Sequence, residues 1–496
     1  MPLASLYRIC LHRIYSFLKE EMWKLYIPNP FSELPTQAVD NLMKLILSHE
    51  EHPKIGDVIL LLTSGRLTRL DLCAFVPDGE EDLIVRAIDT KSSTSFQNLS
   101  SHSKKLLMIY LVRNILSWNP YAEELHLDID PGLDVIRNYQ NLRVLRLYNG
   151  SWKVCGDKVF SVDLSVLSSL RNLEILQVPY MDTDVMTSVL LICPKLISIG
   201  LNDSLDSLEV IAQRLMKNSL VNIERGNQFQ LRRCVWGKDF WFIDLHEKNE
   251  YKSKFCDKMR FAVTLCPFVQ ELIFHVHVKE AIKALRFLKQ LNLLRIDFYK
   301  CGDDFVQDFF ELLREIGPQL KHFSLRCSCR VPVDIILDCC PLLQSLEIEF
   351  PPFVNNSLDA SSDLPLKRLQ FRPYENDADD KECLLFLLCN CKQLEELFLY
   401  ECWFLHDALL RHIFERNCFP KLKVSCISDC SLTSEGYQMF IQKAASIETV
   451  DIYANTSNQY FYDANSLFKE PNLRYPEDFN VREKEFFQCR LNKNRF

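Results

Sequence analysis

One short pattern of apolar and polar positions recurs along the chain. It is an apolar residue, two of any kind, an apolar residue, one of any kind, and a final apolar residue. The pattern appears as LTRLDL from 67, AEELHL from 122, LRVLRL from 142, LEILQV from 173 and LISIGL from 196. It returns as VQELIF from 269, LLRIDF from 293, LKHFSL from 320, LQSLEI from 343, LKRLQF from 366, LEELFL from 394, LKVSCI from 422 and IETVDI from 447. Alternation at the fourth and sixth positions predicts a half-buried strand at each site. Amphipathic runs such as DIILDCC from 334 and DALLRHIF from 407 follow at helical spacing. From 269 the start-to-start spacings are 24, 27, 23, 23, 28, 28 and 25, a period that single chance matches do not produce. Between 196 and 269 the period fails. There LRRCVW from 231 reads as one degenerate repeat, and FWFIDL from 240 as part of an irregular insertion. A single strand and helix cannot bury both of their apolar faces, so such units must stack.

The phrase resembles the leucine-rich repeat. That resemblance implies an α/β solenoid, a horseshoe with the strands on its concave face. The cysteines add a subtype. Cys193, Cys266 and Cys340 each precede a proline just before a strand, and Cys301, Cys402 and Cys430 fall three residues after a strand's last apolar position. This looks like the cysteine-containing repeat class found in intracellular receptors of ubiquitin ligases, in which sulfurs pack as small hydrophobes. The competing reading is zinc. Cys327–Cys329 and Cys389–Cys391 are CxC pairs, whereas structural zinc sites space their ligands by two to four residues. The array is expected over 51–455, with an irregular region at 202–268 and a tail at 456–496.

Residues 1–50 lie outside the repeat and are expected to form a small all-α docking segment. Leu6, Cys10 and Ile14, joined by Ile9 and Phe17, fall on one helical face, with Arg8, His12 and Arg13 opposite. Ser5, Leu6, Cys10 and Ile14 (residues 5–14) resemble an elongin-binding BC-box. LPTQAVDNL, residues 34–42, resembles a cullin-2 box through Leu34, Pro35, Ala38 and Leu42. Proline suits a helix start, where its missing N–H goes unused. The order of the two boxes ahead of leucine-rich repeats is similar to the VHL-box substrate receptors, including the Zyg-type proteins. That resemblance implies docking on elongin B/C and cullin-2. Zyg-type receptors continue into armadillo repeats, whereas the residues after about 455 here read as a short polar and aromatic tail, so their substrate preference does not carry over. ELPTQAVDNLMKLIL also resembles the start of an F-box, which would dock on the Skp adaptor. F-boxes continue into further helices, and HPKIGDVILLLTSGRL from 52 reads as leading straight into a repeat strand. A third reading makes residues 1–60 a cap over the first repeat, on a scaffold independent of any ligase.

Third and fifth positions of each phrase point away from the buried leucines. They mix both charges with isolated apolar residues, which suits a protein partner better than a polyanion. Arg295, Asp297, His322, Arg368, Glu396, Phe398 and Tyr400 are the candidate substrate contacts, with Phe398 as anchor. Trp403 either joins them or packs beneath the following helix.

A net charge of -8 and a pI near 5.8 argue against a nucleic-acid binder. Arg8, His12 and Arg13 interrupt what would be a signal peptide, and no apolar run is long enough to cross a bilayer. The 20 cysteines are then expected to be free thiols in the cytosol or nucleus. His126, Asp128 and Asp130, and His275 with His277 ahead of Glu280, could be read as metal or acid–base groups. The repeat register instead makes His126 an ordinary outward residue and places the His275–His277 pair at a strand end. Gly-rich phosphate loops, nucleophile elbows and kinase signatures do not occur. The Ser-rich KSSTSFQNLSSHS from 91 reads as a solvated connection. The resemblances together imply a substrate receptor of a cullin-RING ubiquitin ligase, and no catalytic residue or cofactor is expected.

Overall fold

The structure is a computed structural model. It describes residues 3–20, 28–49, 55–72, 101–127, 133–147, 164–178, 181–217, 228–237, 249–276, 278–298, 304–354, 363–373 and 376–453. The chain divides into two compact units, residues 1–297 and 298–496. Compactness thus divides the molecule inside the array rather than at residue 50.

The first unit opens with three helices, α1 (Leu3–Lys19), α2 (Thr36–His49) and α3 (Ile55–Leu62). Pro35 stands immediately before α2, and its carbonyl accepts the first helical bonds, from the N–H groups of Ala38 and Val39 at 2.9 and 3.2 Å. Val39, Leu42 and Ile46 recur at helical spacing and are buried, as are Val58, Leu61 and Leu62 of α3. Side chains tie this block together and to the first repeat. Asn29 Nδ2 donates to the Leu60 carbonyl at 2.7 Å, and Asp40 accepts from the Thr68 N–H and hydroxyl at 3.0 and 2.6 Å. Asn119 Nδ2 donates to the Leu62 carbonyl at 2.7 Å. The expectation that residues 52–67 lead straight into a strand is corrected: α3 intervenes. Its sequence, IGDVILLL, ends in an unbroken apolar run that reads equally as a buried strand.

Eight parallel strands follow in chain order: β1 (Arg69–Asp71), β2 (Glu124–Leu127), β3 (Val144–Leu147), β4 (Ile175–Gln177), β5 (Ser198–Asp203), β6 (Arg233–Trp236), β7 (Glu271–His275) and β8 (Leu293–Phe298). Third positions pair with third positions, as in Arg69 with Glu124 and Glu124 with Val144. Fourth-position leucines such as Leu125, Leu145 and Leu272 are buried. Helices α4 (Ser101–Trp118), α5 (Leu164–Leu167), α6 (Thr183–Ile192), α7 (Leu205–Lys217) and α8 (Asn249–Leu265) cover the other side. This is the leucine-rich repeat architecture.

The reading of LRRCVW as a degenerate repeat within the break holds: β6 takes its place in the sheet, Arg233 opposite Glu271, with α7 and α8 on either side of it in the chain. β5 bulges here, pairing Ser198 with Arg233 but Asp203 with Val235. Gly200 sits in that bulge with φ of 67°, where a Cβ would meet Gln177 Cγ at 2.9 Å. FWFIDL lies outside the described residues. In β8, Leu293 pairs with Glu271 and is therefore a third position, so this phrase begins at 291 and not 293. Asp297 consequently occupies a seventh position.

The second unit repeats the plan with β9 (His322–Cys327), β11 (Ser345–Glu349), β13 (Arg368–Phe371), β14 (Glu396–Tyr400), β15 (Val424–Ser428) and β16 (Thr449–Tyr453), parallel and in chain order. A small parallel pair, β10 (Val331–Pro332) and β12 (Pro352–Phe353), joins two turns. Helices α9 (Asp304–Ile316), α10 (Val333–Cys339), α11 (Ala378–Asn390), α12 (Asp407–Arg416) and α13 (Ser434–Lys443) alternate with the strands. Phe323, Leu346, Leu369 and Leu397 form the buried fourth-position row. Asn417 stitches neighbouring turns: its Nδ2 donates to the carbonyls of Leu388 and Cys391, and its Oδ1 accepts from the Phe419 N–H. No described helix is long and apolar enough to cross a membrane.

Candidate functional site

In α1 the buried side is carried by Leu18, with Leu11, Ile14 and Tyr15 half-buried. Asn41 Nδ2 of α2 donates to the Tyr7 hydroxyl at 3.1 Å, which fixes how the helix lies. The opposite side is open. Leu6 is 55% exposed, Ile9 is 53% exposed, and Cys10 is exposed between them. Arg13 stacks its guanidinium over the Phe17 ring at 4.5 Å and extends this strip. The sequence set Arg13 opposite the stripe; the helix places it on the same side.

The second candidate group divides. Pro35 is exposed and Leu34 and Ala38 are half-buried, whereas Leu42 is only 1% exposed. Leu42 is therefore corrected from a docking residue to a core residue. It shares the inward face of α2 with Val39 and Ile46, and helical spacing leaves no other place for it.

On the outward sheet face the expected ligand residues are more enclosed than alternation alone implies. Side chains on strands about 4.8 Å apart cover one another. Arg295 and Asp297 are buried: Arg295 Nε meets Asp297 Oδ1 at 3.3 Å, and Asp297 Oδ2 lies 3.1 Å from His275 Nδ1. They form an internal ion network in the first unit, a correction to their expected role as contacts. Asp71 and His126 pair similarly at 3.3 Å. Burial pushes the Asp71 carboxyl up, but the hydrogen bond and charge of His126, with Arg69, hold it below the usual carboxylate range. Asp128, Asp130 and His277 lie outside the described residues.

In the second unit, Glu396 is buried, and Arg368 Nη1 reaches its Oε2 at 3.4 Å. The same guanidinium lies 4.8 Å from the centroid of the Phe398 ring. Gln370 Nε2 donates to Glu347 Oε1 at 2.8 Å. His322, Phe398 and Tyr400 are half-buried. Burial, with Cys426 alongside, pushes the Tyr400 hydroxyl well up, so it stays a neutral donor. Trp403 is 60% exposed, which decides against packing beneath the helix. Its backbone N–H donates to Asn376 Oδ1 at 3.0 Å. Side chains of Thr449 and Asp451 lie outside the described residues.

Reading only third and fifth positions missed a seventh-position row, which includes His275, Arg326 and Glu349. Arg326 Nε and Glu349 Oε2 are 3.3 Å apart. The same period of two, carried two residues further, would have found it.

Fifteen described cysteines are free. Cys329 is disulfide-bonded, against the expectation of free thiols throughout. Spacing along a chain does not reveal which sulfurs a stacked array brings together. Cys193 and Cys340 close helices, their N–H groups returning to Val189 and Ile336, and both are buried. Burial pushes the Cys193 thiol up to about 11 and those of Cys327 and Cys340 up to about 12. Among the described residues no group of three or more His, Cys, Asp or Glu is arranged to hold a metal ion.

No family model matches the chain, and no curated protein does. Solved structures do. The complex of Rad7 and Elc1 from yeast matches with 15% identity over 50% of this chain and 71% of that one, at a TM-score of 0.28. The leucine-rich repeat-containing protein LegL7 from Legionella pneumophila matches with 10% identity over 65% and 93%, at 0.32. A leucine-rich repeat protein from Leptospira interrogans matches with 12% identity over 68% and 91%, at 0.26. The repeat assignment itself rests on the strand register and the buried phrase positions.

Proposed function

We propose that this chain is a non-enzymatic substrate receptor of a cullin-RING ubiquitin ligase. The observation that carries the reading is the open side of α1, where Leu6, Ile9 and Cys10 face outward although Leu18 anchors the same helix to the body. A cap would bury those residues; a docking helix must present them. Covering that strip with elongin C would contribute a few kcal/mol at roughly 25 cal/mol per Å². Leu34, Pro35 and Ala38 would then meet cullin-2. Phe398, Tyr400 and Trp403 would hold a protein substrate, so that a ubiquitin thioester meets a lysine at high effective concentration. The receptor itself makes and breaks no bond.

A specific observation favours a second reading. Helix α3 follows α2, as an F-box docking on the Skp adaptor would require.

The test is a pull-down from cell extract comparing wild type with Leu6→Ser/Cys10→Phe, blotted for elongin C, the Skp adaptor and cullins. Both substitutions fall on the open side, so circular dichroism should be unchanged. Elongin C and cullin-2 retained by wild type and lost from the mutant is the expected result. Skp binding that survives the mutation would move the reading to the F-box. Absence of both adaptors would leave a ligase-independent scaffold.

A further inference from the structure

Two thiols in the second unit occupy equivalent places in consecutive repeats. Tyr400, the last residue of β14, stands opposite Ser428, the last residue of β15, and Cys402 and Cys430 each lie two residues beyond. Each sulfur donates to the carbonyl two residues before it, Cys402 Sγ to Tyr400 at 3.5 Å and Cys430 Sγ to Ser428 at 3.6 Å. A backbone bond from the Glu401 N–H to the Ser428 carbonyl at 2.8 Å holds the turns in step. Equivalent places on adjacent, in-register strands set the two thiols side by side, close enough to interact. Neighbouring strands are about 4.8 Å apart, within the Cα separations of roughly 4.4–6.8 Å that a disulfide spans. Access is asymmetric: Cys402 is buried, while Cys430 is partly open.

We propose that Cys402 and Cys430 form a peroxide-sensitive dithiol that closes into a disulfide across consecutive repeats. Hydrogen peroxide reaches Cys430 first. The Cys430 sulfur, as thiolate, attacks one peroxide oxygen and breaks the O–O bond, giving Cys430–SOH and a hydroxide that takes up the thiol's proton as water. The Cys402 sulfur then attacks the sulfenic sulfur and loses its own proton, and the hydroxyl leaves as a second water. Two thiols and one peroxide thus become one disulfide and two waters. Trp403 follows Cys402 directly, so the cross-link acts on the turn that displays the most exposed aromatic among the described residues of the second unit.

The first unit supplies an internal control. Cys234 and Cys266 are a second pair of interacting thiols, but both are fully enclosed, so peroxide has no first sulfur to reach.

The test treats the full-length protein with hydrogen peroxide, quenches with N-ethylmaleimide, and maps peptides by mass spectrometry. The expected product is one cross-linked pair containing Cys402 and Cys430, lost on adding dithiothreitol, with Cys234 and Cys266 alkylated only after unfolding. Cys430→Ser alters the open partner and spares the core. It should abolish the cross-link, leave Cys402 a thiol and keep the circular dichroism unchanged. Accumulation of Cys430 sulfinic or sulfonic acid with Cys402 still free would overturn the proposal. So would a cross-link from Cys402 to any other sulfur.

Discussion

Cys10 and Cys193 show how little residue type alone decides. Cys10 sits on the open side of α1, while Cys193 is sealed at the end of α6 with its thiol pushed up to about 11. At pH 8 N-ethylmaleimide should therefore modify Cys10 and the exposed Cys418 well ahead of Cys193, Cys327 and Cys340, a ranking that timed peptide mapping would read directly. If Cys193 reacted as fast as Cys10 in the folded protein, the turn packing would be wrong. At this scale the sequence was informative wherever a residue's place in the repeat fixed its surroundings, as for the cysteines before prolines. It misled at Leu42, where a short motif competed with the helical face set by Val39 and Ile46. It misled again at Arg295 and Asp297, because mutual burial of neighbouring charged side chains cannot be seen one strand at a time.

Among elements, α11 carries the most complete end signal. Asp377 accepts from the Asp380 N–H, while the Asp380 side chain accepts from the Asp377 N–H, a capping box that closes the helix start in both directions. Asp377→Ala should lower the stability of the second unit by about 1 kcal/mol, visible as a lower denaturant midpoint with an unchanged slope. An unchanged midpoint would mean that packing alone holds the helix. Strands were the most legible elements, since alternation survives in every phrase. Helix α3 was not, because its unbroken run VILLL reads equally as a buried strand. Nor was the register of β8, where LNLLRIDF offers two overlapping phrases two residues apart, and only pairing with Glu271 chooses between them. The bulge of β5 was hidden for the same reason: extra residues register only against a partner strand.

For the molecule as a whole, the enclosed thiols set an alkaline limit. A thiol ordinarily titrates near 9; burial holds Cys193 neutral to about 11, and Cys327 and Cys340 to about 12. Folded values lie above unfolded ones, so the associated stability is complete below about pH 9 and drains away as pH rises through the folded values. Each such thiol steepens the loss by up to about 1.4 kcal/mol per pH unit. Urea unfolding measured from pH 8 to 11 should show a falling midpoint, and a flat profile would contradict the burial. The array also has a rule of growth. Phrases at 366, 394 and 422 are separated by equal steps of 28 residues, and their strands pair without a shift. Whole rungs in this stretch are interchangeable cassettes, each meeting its neighbours through the same surfaces. A gene encoding such a chain can lengthen or shorten by a full 28-residue cassette while every later leucine keeps its inward place. An insertion of one residue within a strand turns the rest of that strand to the wrong side. Editing of this protein by duplication is therefore gentle, and editing by single-residue slippage inside a strand is not.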